Sequence, residues 1–210
     1  MTQQDDIKTI DDLSEKYSTW IIKYCSATFD GPLFLVWYTD TGENSTDRFL
    51  TYKSGEIFAA TSLTNLKATI LSSVNKLLEF ENLHSWLDNF NDLEVTAYCT
   101  SDVISIGNDI EKNNLDIETI EGFTNFVNLY GDFVNQDQRN APLHVYADKE
   151  LIRETWEYFY NYIFWPRFND KEKFEQWDRP PLVIDTKELL VLLKEIIKSF
   201  DDNIKQLESA

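Results

Sequence analysis

The sequence is poor in the residues that mark disordered, fibrous or disulfide-stapled chains. It holds only 6 glycines, 5 prolines and 2 cysteines in 210 residues. The scarcity of glycine and proline argues against a disordered or fibrous chain, and two cysteines are too few for a disulfide scaffold. We therefore expect a folded domain in which Cys25 and Cys99, both set among apolar neighbours, are buried thiols.

The sequence also lacks the stretches that direct a chain into or across a membrane. It contains no run of about 18 apolar residues, which a spanning helix would require. The first six residues, Met1 to Asp6, lack the basic residues and the apolar stretch of a secretory signal. Together with the low cysteine content, these absences predict a cytoplasmic protein that makes no use of a membrane.

Residues that carry most enzyme chemistry are equally scarce. Histidine, the commonest general base and metal ligand, occurs only as His84 and His144. The chain has no phosphate-cradling glycine motif, no nucleophile elbow and no zinc-type CxxC or HxxxH spacing. We expect no enzyme activity, no cofactor and no metal. A hydrolase built on a paired Asp/Glu cleft is the alternative, because 37 acidic residues will always place some pair close together.

The sequence does contain a regular succession of apolar patterns. Short β-prone runs separated by turns predict an antiparallel meander within residues 33–60, and alternation predicts a further strand near 94–106. Residues 142–146 are a further candidate for a short strand. Helical spacing of apolar residues predicts helices at 7–29, 62–79, 116–134, 148–164 and 186–207, and residues 82–90 are expected to form a short helix or a turn. Pro166 is expected to end the helix at 148–164.

These elements predict an α+β fold, with an antiparallel β-meander packed against several amphipathic helices and a helical C-terminal part. The sheet should be covered by the helices at 62–79, 116–134 and 186–207, which have the widest apolar stripes. We expect a single domain over residues 1–210. Residues 1–110 should form its sheet-rich part and residues 111–210 its mainly helical part.

Charge of one sign dominates the surface that this fold must expose. The chain carries 37 acidic against 19 basic residues, for a net charge of −18. Such a chain is repelled by nucleic acids and anionic membranes and attracted to basic proteins. Residues 77–138 hold 13 of the acids and a single base, Lys112. This block predicts a face for a basic partner, although a solvated surface would also account for it.

Within the block, five acids are the strongest candidates for partner contact, since they lie in an Asn-rich loop and the first turns of a helix. They are Asp109, Glu111, Asp116, Glu118 and Glu121. Acids at a helix N-terminus also stabilise the helix itself. Asp116 and Glu118 therefore have an alternative role in the fold alone.

Aromatic residues are concentrated in Thr155–Phe168, where eight of fourteen residues are Phe, Trp or Tyr. On a helix, one stripe of this segment would face the core, namely Ile152, Trp156, Phe159 and Ile163. A second stripe faces elsewhere and contains Glu154, Tyr158, Tyr162 and Trp165. Either both stripes are buried in a sandwiched helix, or Tyr158, Tyr162 and Trp165 form a contact patch of the kind that anchors protein interfaces.

Two stretches, Asn125–Phe133 and Trp156–Ile184, resemble segments of bacterial immunity proteins, the cytosolic antidotes of polymorphic or contact-dependent growth inhibition toxins. The resemblance implies a high-affinity complex with one cognate toxin, and a basic nuclease would suit the acidic block. The protein would then occlude the toxin's active site or substrate groove. A structural adaptor domain is a further alternative, favoured if the acids are scattered over the surface.

Overall fold

The computed structural model describes residues 7, 9–41, 45–90 and 93–206, and the structural statements below concern those residues. The chain divides into two compact units. The first runs as far as Ser101 and resumes at Asp201, and the second runs from Asp102 to Phe200. The first unit is built on a β-sheet and the second is helical. Within the part of the chain described, no helix combines the length and the apolar character needed to cross a membrane.

One mixed sheet contains all the strands of the described residues. They are β1 Thr19–Cys25, β2 Leu33–Asp40, β3 Thr46–Phe49, β4 Thr51–Tyr52, β5 Ile57–Ala60, β6 Leu77–Leu78, β7 Cys99–Asp102 and β8 Ile204–Gln206. The order across the sheet is β6-β4-β5-β2-β1-β7, with β3 added to β2 and β8 added to β5. The pairs β1–β2, β2–β3, β2–β5, β4–β5 and β4–β6 are antiparallel, whereas β8 runs parallel to β5.

Among the residues described, the first unit has three helices, namely α1 Ile10–Tyr17, α2 Leu66–Ser73 and α3 Leu83–Asp88. A short 3-10 turn, Val74–Lys76, follows α2. The core of this unit joins the helices to one face of the sheet. Its members include Leu13, Ile21, Val36, Leu50, Phe58, Leu66, Ile70, Leu83 and Trp86. Burial of these large apolar side chains is the main favourable term that holds the unit together.

The second unit consists of six helices within the described residues. They are α4 Val103–Glu111, α5 Ile117–Asn135, α6 Glu150–Phe159, α7 Trp165–Asn169, α8 Lys171–Gln176 and α9 Thr186–Asp201, whose last residue is counted with the first unit. Two glycines inside α5 allow other groups to come close. A Cβ on Gly122 would lie 3.1 Å from Ile106, and one on Gly131 would lie 2.7 Å from the Tyr146 hydroxyl. This close packing offsets the low helix propensity of glycine.

A buried carboxylate ties Asp201 to the segment that follows β1. The side chain of Asp201 is 5% exposed. Its Oδ1 accepts a hydrogen bond from the Tyr24 hydroxyl at 2.7 Å, and its Oδ2 accepts from Ser26 and Thr28, each at 2.6 Å. Burial, followed by the charge of Asp201, raises the pKa of Tyr24 above its ordinary value, so the phenol remains a donor.

The α+β class with a helical C-terminal part is confirmed, but several boundaries differ from the sequence expectations. The helix predicted over 7–29 is wrong after Tyr17, because β1 occupies Thr19–Cys25. Ser18 ends α1 in the left-handed conformation, with φ 47°. The bulky and β-branched residues that follow favour a strand, and β1 pairs along its length with β2.

Other predicted elements are shorter or of another type. The strand predicted over 94–106 is limited to β7, after which Asp102 caps α4 by accepting from the Ser105 N–H at 3.0 Å. The possible strand at 142–146 belongs to a 3-10 stretch, Gln138–Tyr146. The helices predicted over 62–79 and 186–207 give way at their ends to β6 and β8, although residue 207 lies outside the described part. After each of these two helices, pairing with a distant strand overrides the helical periodicity of the local sequence.

The expected burial of both cysteine thiols is wrong for Cys99, which is exposed, while Cys25 is half-buried. Cys99 lies on β7 at one end of the strand order, and its neighbours Tyr98 and Thr100 are exposed as well. An edge strand has a neighbour on one side only, so apolar sequence context does not guarantee burial there.

Candidate partner-binding surface

The aromatic segment forms a continuous helical rod from α6 through a π-helical turn, Tyr160–Phe164, into α7. Pro166 lies within this rod, so the prediction that it ends the helix is wrong. Proline lacks an N–H donor and its ring collides with the carbonyl four residues earlier. The wider π turn directly before Pro166 gives the backbone the room to continue. The helix also begins at Glu150, with Lys149 rather than Asp148 as its N-cap.

One side of this rod faces the core of the second unit. Ile152, Phe159 and Ile163 are buried, as the first predicted stripe requires. Trp156 is the exception, because it is 38% exposed. Its indole N–H donates to the Asn128 side-chain oxygen at 2.8 Å, so it lies at the edge of the core and not within it.

The opposite side of the rod presents large aromatic side chains to solvent. We define the aromatic face by its four members: Tyr162, Trp165, Phe168 and Trp177, which are 36%, 50%, 74% and 41% exposed. Tyr162 stacks on Trp177 with 6.0 Å between ring centroids, and Trp165 meets Phe168 edge to face at the same separation. The idea that both aromatic stripes are buried is therefore wrong for this second stripe.

Tyr158, the third aromatic residue predicted for a contact patch, has a different environment. It is half-buried, and its hydroxyl donates to the Pro180 carbonyl at 2.8 Å. Its ring packs beside Tyr162, with centroids 5.1 Å apart. Burial raises the pKa of Tyr158, which keeps the hydroxyl protonated as a donor. Tyr158 thus packs against Tyr162 and exposes less of its own surface.

The five acids predicted for partner contact separate into paired and free residues. Asp116 caps α5, accepting from the Thr119 N–H at 2.8 Å and from Asn114 at 3.0 Å. The bond from the Thr119 N–H, followed by the bond from Asn114, lowers the pKa of Asp116, which shows that the folded state favours the ionised carboxylate. The prediction of a loop is wrong for Asp109 and Glu111, because both lie on α4, and Asp109 is 3.7 Å from the ammonium group of Lys112. The alternative role in the fold therefore applies to Asp116.

Glu121 is the most firmly paired of the five. Its two carboxylate oxygens accept from the Arg167 guanidinium at 2.7 and 3.0 Å, in a bidentate and half-buried ion pair. This pairing raises the pKa of Arg167. By contrast, Glu111 and Glu118 are exposed, and the described residues give neither side chain an ion-pair partner. We call Glu111 and Glu118 the free acids.

The structure brings the acidic and aromatic candidates onto one unit, and the Glu121–Arg167 pair joins them. Arg167 lies between Trp165 and Phe168 in sequence, so the ion pair links the start of α5 to the aromatic face. Glu118 precedes Glu121 by three residues, a spacing at which side chains are neighbours on a helix. Below the surface, the start of α5, the rod and α8 share a core of Ile120, Phe159, Ile163 and Phe174, with Leu115, Ile117 and Phe164 packed against it.

Sequence reasoning missed Trp177 and did not single out Phe168. Phe168 follows Trp165 at a helical interval, so its place in the face was accessible from the pattern. Trp177 lies beyond α8, and only the folded arrangement of α8 against the rod places it on Tyr162. No local pattern signals such a contact.

The described residues contain no group of three or more His, Cys, Asp and Glu side chains arranged to hold a metal ion. A pocket of about 130 Å³ in the second unit, lined in part by Tyr130 and Ile152, has one carboxylate, Glu195, in its lining. Hydrogen bonds to the ionised carboxylate lower the pKa of Glu56, Asp116, Asp137 and Asp170. A general acid requires the opposite shift.

Comparison with known proteins gives a likeness of fold. No protein-family model matches the chain, and no curated protein matches it significantly. Among solved structures, the chain is similar to the C-terminal domain of SatS, determined in complex with bromine, with a TM-score of 0.54 and 11% identity. The match covers 93% of this chain and 97% of that one. At this identity the likeness concerns the fold alone.

Proposed function

We propose that this chain is an acidic binding protein, and specifically an immunity protein that acts in the cytoplasm by neutralising a basic toxin. It would occlude the active site or the substrate groove of that toxin, and a nuclease is the class of toxin that best suits the charge. The observation that supports the proposal most is the aromatic face. Three large aromatic side chains of the helical rod are exposed, together with Trp177 packed beside them, where burying them inside the chain would have stabilised it.

The chemistry of the aromatic face suits a protein partner. Tyrosine and tryptophan are enriched among the residues that dominate binding energy, because they bury much apolar area and keep a polar edge for hydrogen bonding. The rings of Tyr162 and Trp165 are held by their contacts with Trp177 and Phe168. Side chains that are already ordered lose little conformational freedom on binding.

Charge complementarity selects the kind of partner. The net charge of −18 repels polyanions and attracts basic proteins. The free acids Glu111 and Glu118 form no ion pair with another described residue, so they are available to a partner's Lys or Arg side chains. Desolvated aromatics at the centre and charges at the rim form the usual division of an interface.

The hydrolase alternative draws less support from the structure. It requires two carboxylates in a cleft, one of them with a raised pKa. The pocket lined by Tyr130 and Ile152 contains one carboxylate, and the pKa values of Glu56, Asp116, Asp137 and Asp170 are lowered. We therefore place binding ahead of catalysis.

A capture experiment followed by a rescue assay tests the proposal. The wild-type chain and the double variant Trp165→Ala/Phe168→Ala are each immobilised and exposed to lysate of the native host. We expect a basic protein that the wild type retains and the double variant loses. Expression of that protein in a heterologous host should arrest growth, and co-expression of the wild-type chain should restore it.

The matched control is Tyr98→Ala, which removes an aromatic side chain that is 62% exposed in the first unit. It should retain the partner and the rescue. The proposal fails if the double variant rescues growth as well as the wild type, or if the retained protein has no effect on growth. Equal loss in the Tyr98→Ala control would assign the effect to general stickiness of exposed rings.

A further inference from the structure

A pocket lined by three lysines lies in the first unit, apart from the aromatic face. Its lining consists of Tyr52, Lys53, Ser54, Lys76 and Lys205, and its volume is about 380 Å³. The whole chain has 19 basic residues against 37 acidic ones. Three lysines without a carboxylate in the same lining are therefore a local reversal of the chain's charge.

Sheet pairing brings these lysines together. Lys53 follows β4 and Lys76 precedes β6, and the two antiparallel strands place them side by side, with the Lys53 N–H donating to the Lys76 carbonyl at 2.8 Å. Lys205 lies on β8, opposite Phe58 of β5. The tight turn after β4 contains Gly55 at φ 110°, a conformation that glycine adopts without strain. The cluster thus depends on residues distant in sequence, at the end of β4, the start of β6 and the middle of β8.

Two of the three ammonium groups are held in place. Lys53 donates from Nζ to the Asn75 carbonyl at 3.0 Å. Lys205 lies 3.3 Å from the Glu56 carboxylate and 5.0 Å from the centre of the Tyr52 ring. Each ammonium has three donors, so both keep donors for a ligand. Lys76 is exposed, and the described residues give it no ion-pair partner.

Tyr52 supplies an independent sign of a ligand. Its side chain is only 3% exposed, yet its hydroxyl has no hydrogen-bond partner within the described part of the chain. A buried polar group without a partner is costly, and folded proteins rarely leave one. Burial raises the pKa of Tyr52, so its hydroxyl is a donor over the neutral pH range. The pocket therefore combines ammonium donors with a lining residue, Tyr52, whose buried hydroxyl lacks a partner among the described residues.

We propose that this pocket binds a soluble phosphate ester. A phosphate monoester carries close to two negative charges at neutral pH and presents three terminal oxygens. It matches the charge that remains when Glu56 offsets one of the three lysines. The terminal oxygens accept from Lys53, Lys76 and Lys205, and lysine is a common phosphate ligand. A volume within the usual range of small-molecule sites leaves room for the organic part of the ester.

Calorimetric titration of the full chain at low salt, with glycerol 3-phosphate and with inorganic phosphate, tests the proposal. We expect saturable binding with one site, tighter for the ester. Lys76→Gln should weaken the affinity about fivefold or more. Tyr52→Phe retains the ring and should also weaken binding, while leaving the circular dichroism spectrum unchanged. Backbone amide shifts caused by glycerol 3-phosphate should centre on residues 52–54, 76 and 205.

The matched control is Lys23→Gln, which removes the same charge from β1 of the same unit. It should change the affinity less than about twofold. Absence of saturable binding up to about 10 mM ester, or equal weakening by Lys23→Gln and Lys76→Gln, would overturn the proposal. A sedimentation arm with phosphatidylcholine vesicles, with and without phosphatidic acid, separates the two sources of a phosphate group. Binding to phosphatidic acid vesicles without binding to glycerol 3-phosphate would contradict a soluble ligand.

Discussion

Removing the Tyr24 hydroxyl should destabilise the chain, and the structure allows the size of the effect to be worked out. Tyr24 is 1% exposed and donates at 2.7 Å to Asp201, a buried carboxylate. A hydrogen bond to a charged group contributes about 1.5–3 kcal/mol to stability. Phenylalanine at this position keeps the ring and its edge-on packing against Phe29. We expect Tyr24→Phe to lower the free energy of unfolding by about 2 kcal/mol.

A neighbouring hydroxyl provides the control. Thr28 also donates to Asp201, at 2.6 Å, but it is an exposed residue where water can replace the lost bond. Thr28→Val should therefore cost less than about 1 kcal/mol. Urea unfolding followed by circular dichroism measures both variants, with the dependence on urea concentration expected to stay constant. A change below about 0.5 kcal/mol for Tyr24→Phe, or a larger loss for Thr28→Val, would refute the role assigned to the buried carboxylate.

Three further predictions concern stability. Glu121→Gln and Arg167→Gln should each lower the free energy of unfolding by about 1 kcal/mol, with a positive coupling energy in a double-mutant cycle. The control Glu118→Gln should change it by less than about 0.5 kcal/mol. A cycle without coupling would contradict the ion pair. Asp116→Ala should cost about 1 kcal/mol through the loss of the α5 cap, and Asp116→Asn less; equal losses would show that the cap bond is unimportant. Alkaline pH should destabilise the fold, because the folded state holds the Tyr24 proton that the unfolded chain releases near pH 10; stability is retained below that pH and falls above it. Tyr24→Phe should reduce the slope of the unfolding free energy against pH, above pH 10, by up to about 1.4 kcal/mol per pH unit. An unchanged slope would contradict the raised pKa of Tyr24.

The sequence pattern correctly predicted those elements that are determined by residues close to one another in sequence. The continuous apolar run of β2 and the apolar stripe of α5 both follow from residues close in sequence. The Asp116 cap was likewise readable, because a capping carboxylate acts within one helical turn. These features need no knowledge of distant contacts.

Elements that depend on distant pairing could not be predicted in the same way. The residues of β8 continue a helical apolar pattern, yet they pair with β5, about 147 positions earlier. The residues of β1 fit a helical spacing over a short window, but β2 supplies a long antiparallel partner. Propensity is a weak prior, and tertiary context overrides it at such places.

The residues of the candidate surface also divide into those that local sequence predicts and those that depend on distant contacts. Sequence pattern singled out Tyr162, Trp165 and the acids around α5, because composition alone concentrates them. It did not distinguish the free acids from Glu121, since the Arg167 partner lies 46 positions away. Nor did it foresee the π turn that carries the helix past Pro166, because the geometry of a single irregular turn leaves no periodic signal.

The most direct test of the binding proposal is a stopped-flow measurement with the captured partner. Association and dissociation rates are compared for the wild type, for Glu111→Gln/Glu118→Gln and for Trp165→Ala/Phe168→Ala, at low salt and at 0.15 M salt. Glu15→Gln/Asp30→Asn, which neutralises two exposed acids of the first unit, is the charge-matched control.

We predict that the free acids mainly determine the association rate with the partner and that the aromatic face mainly determines the dissociation rate. Wild-type association should approach ~10⁸ M⁻¹s⁻¹ at low salt and fall steeply at 0.15 M, where the Debye length is about 8 Å. Glu111→Gln/Glu118→Gln should slow association at low salt more than the control does, and Trp165→Ala/Phe168→Ala should speed dissociation by about tenfold or more. Salt-independent association, or unchanged dissociation of the aromatic variant, would contradict the account.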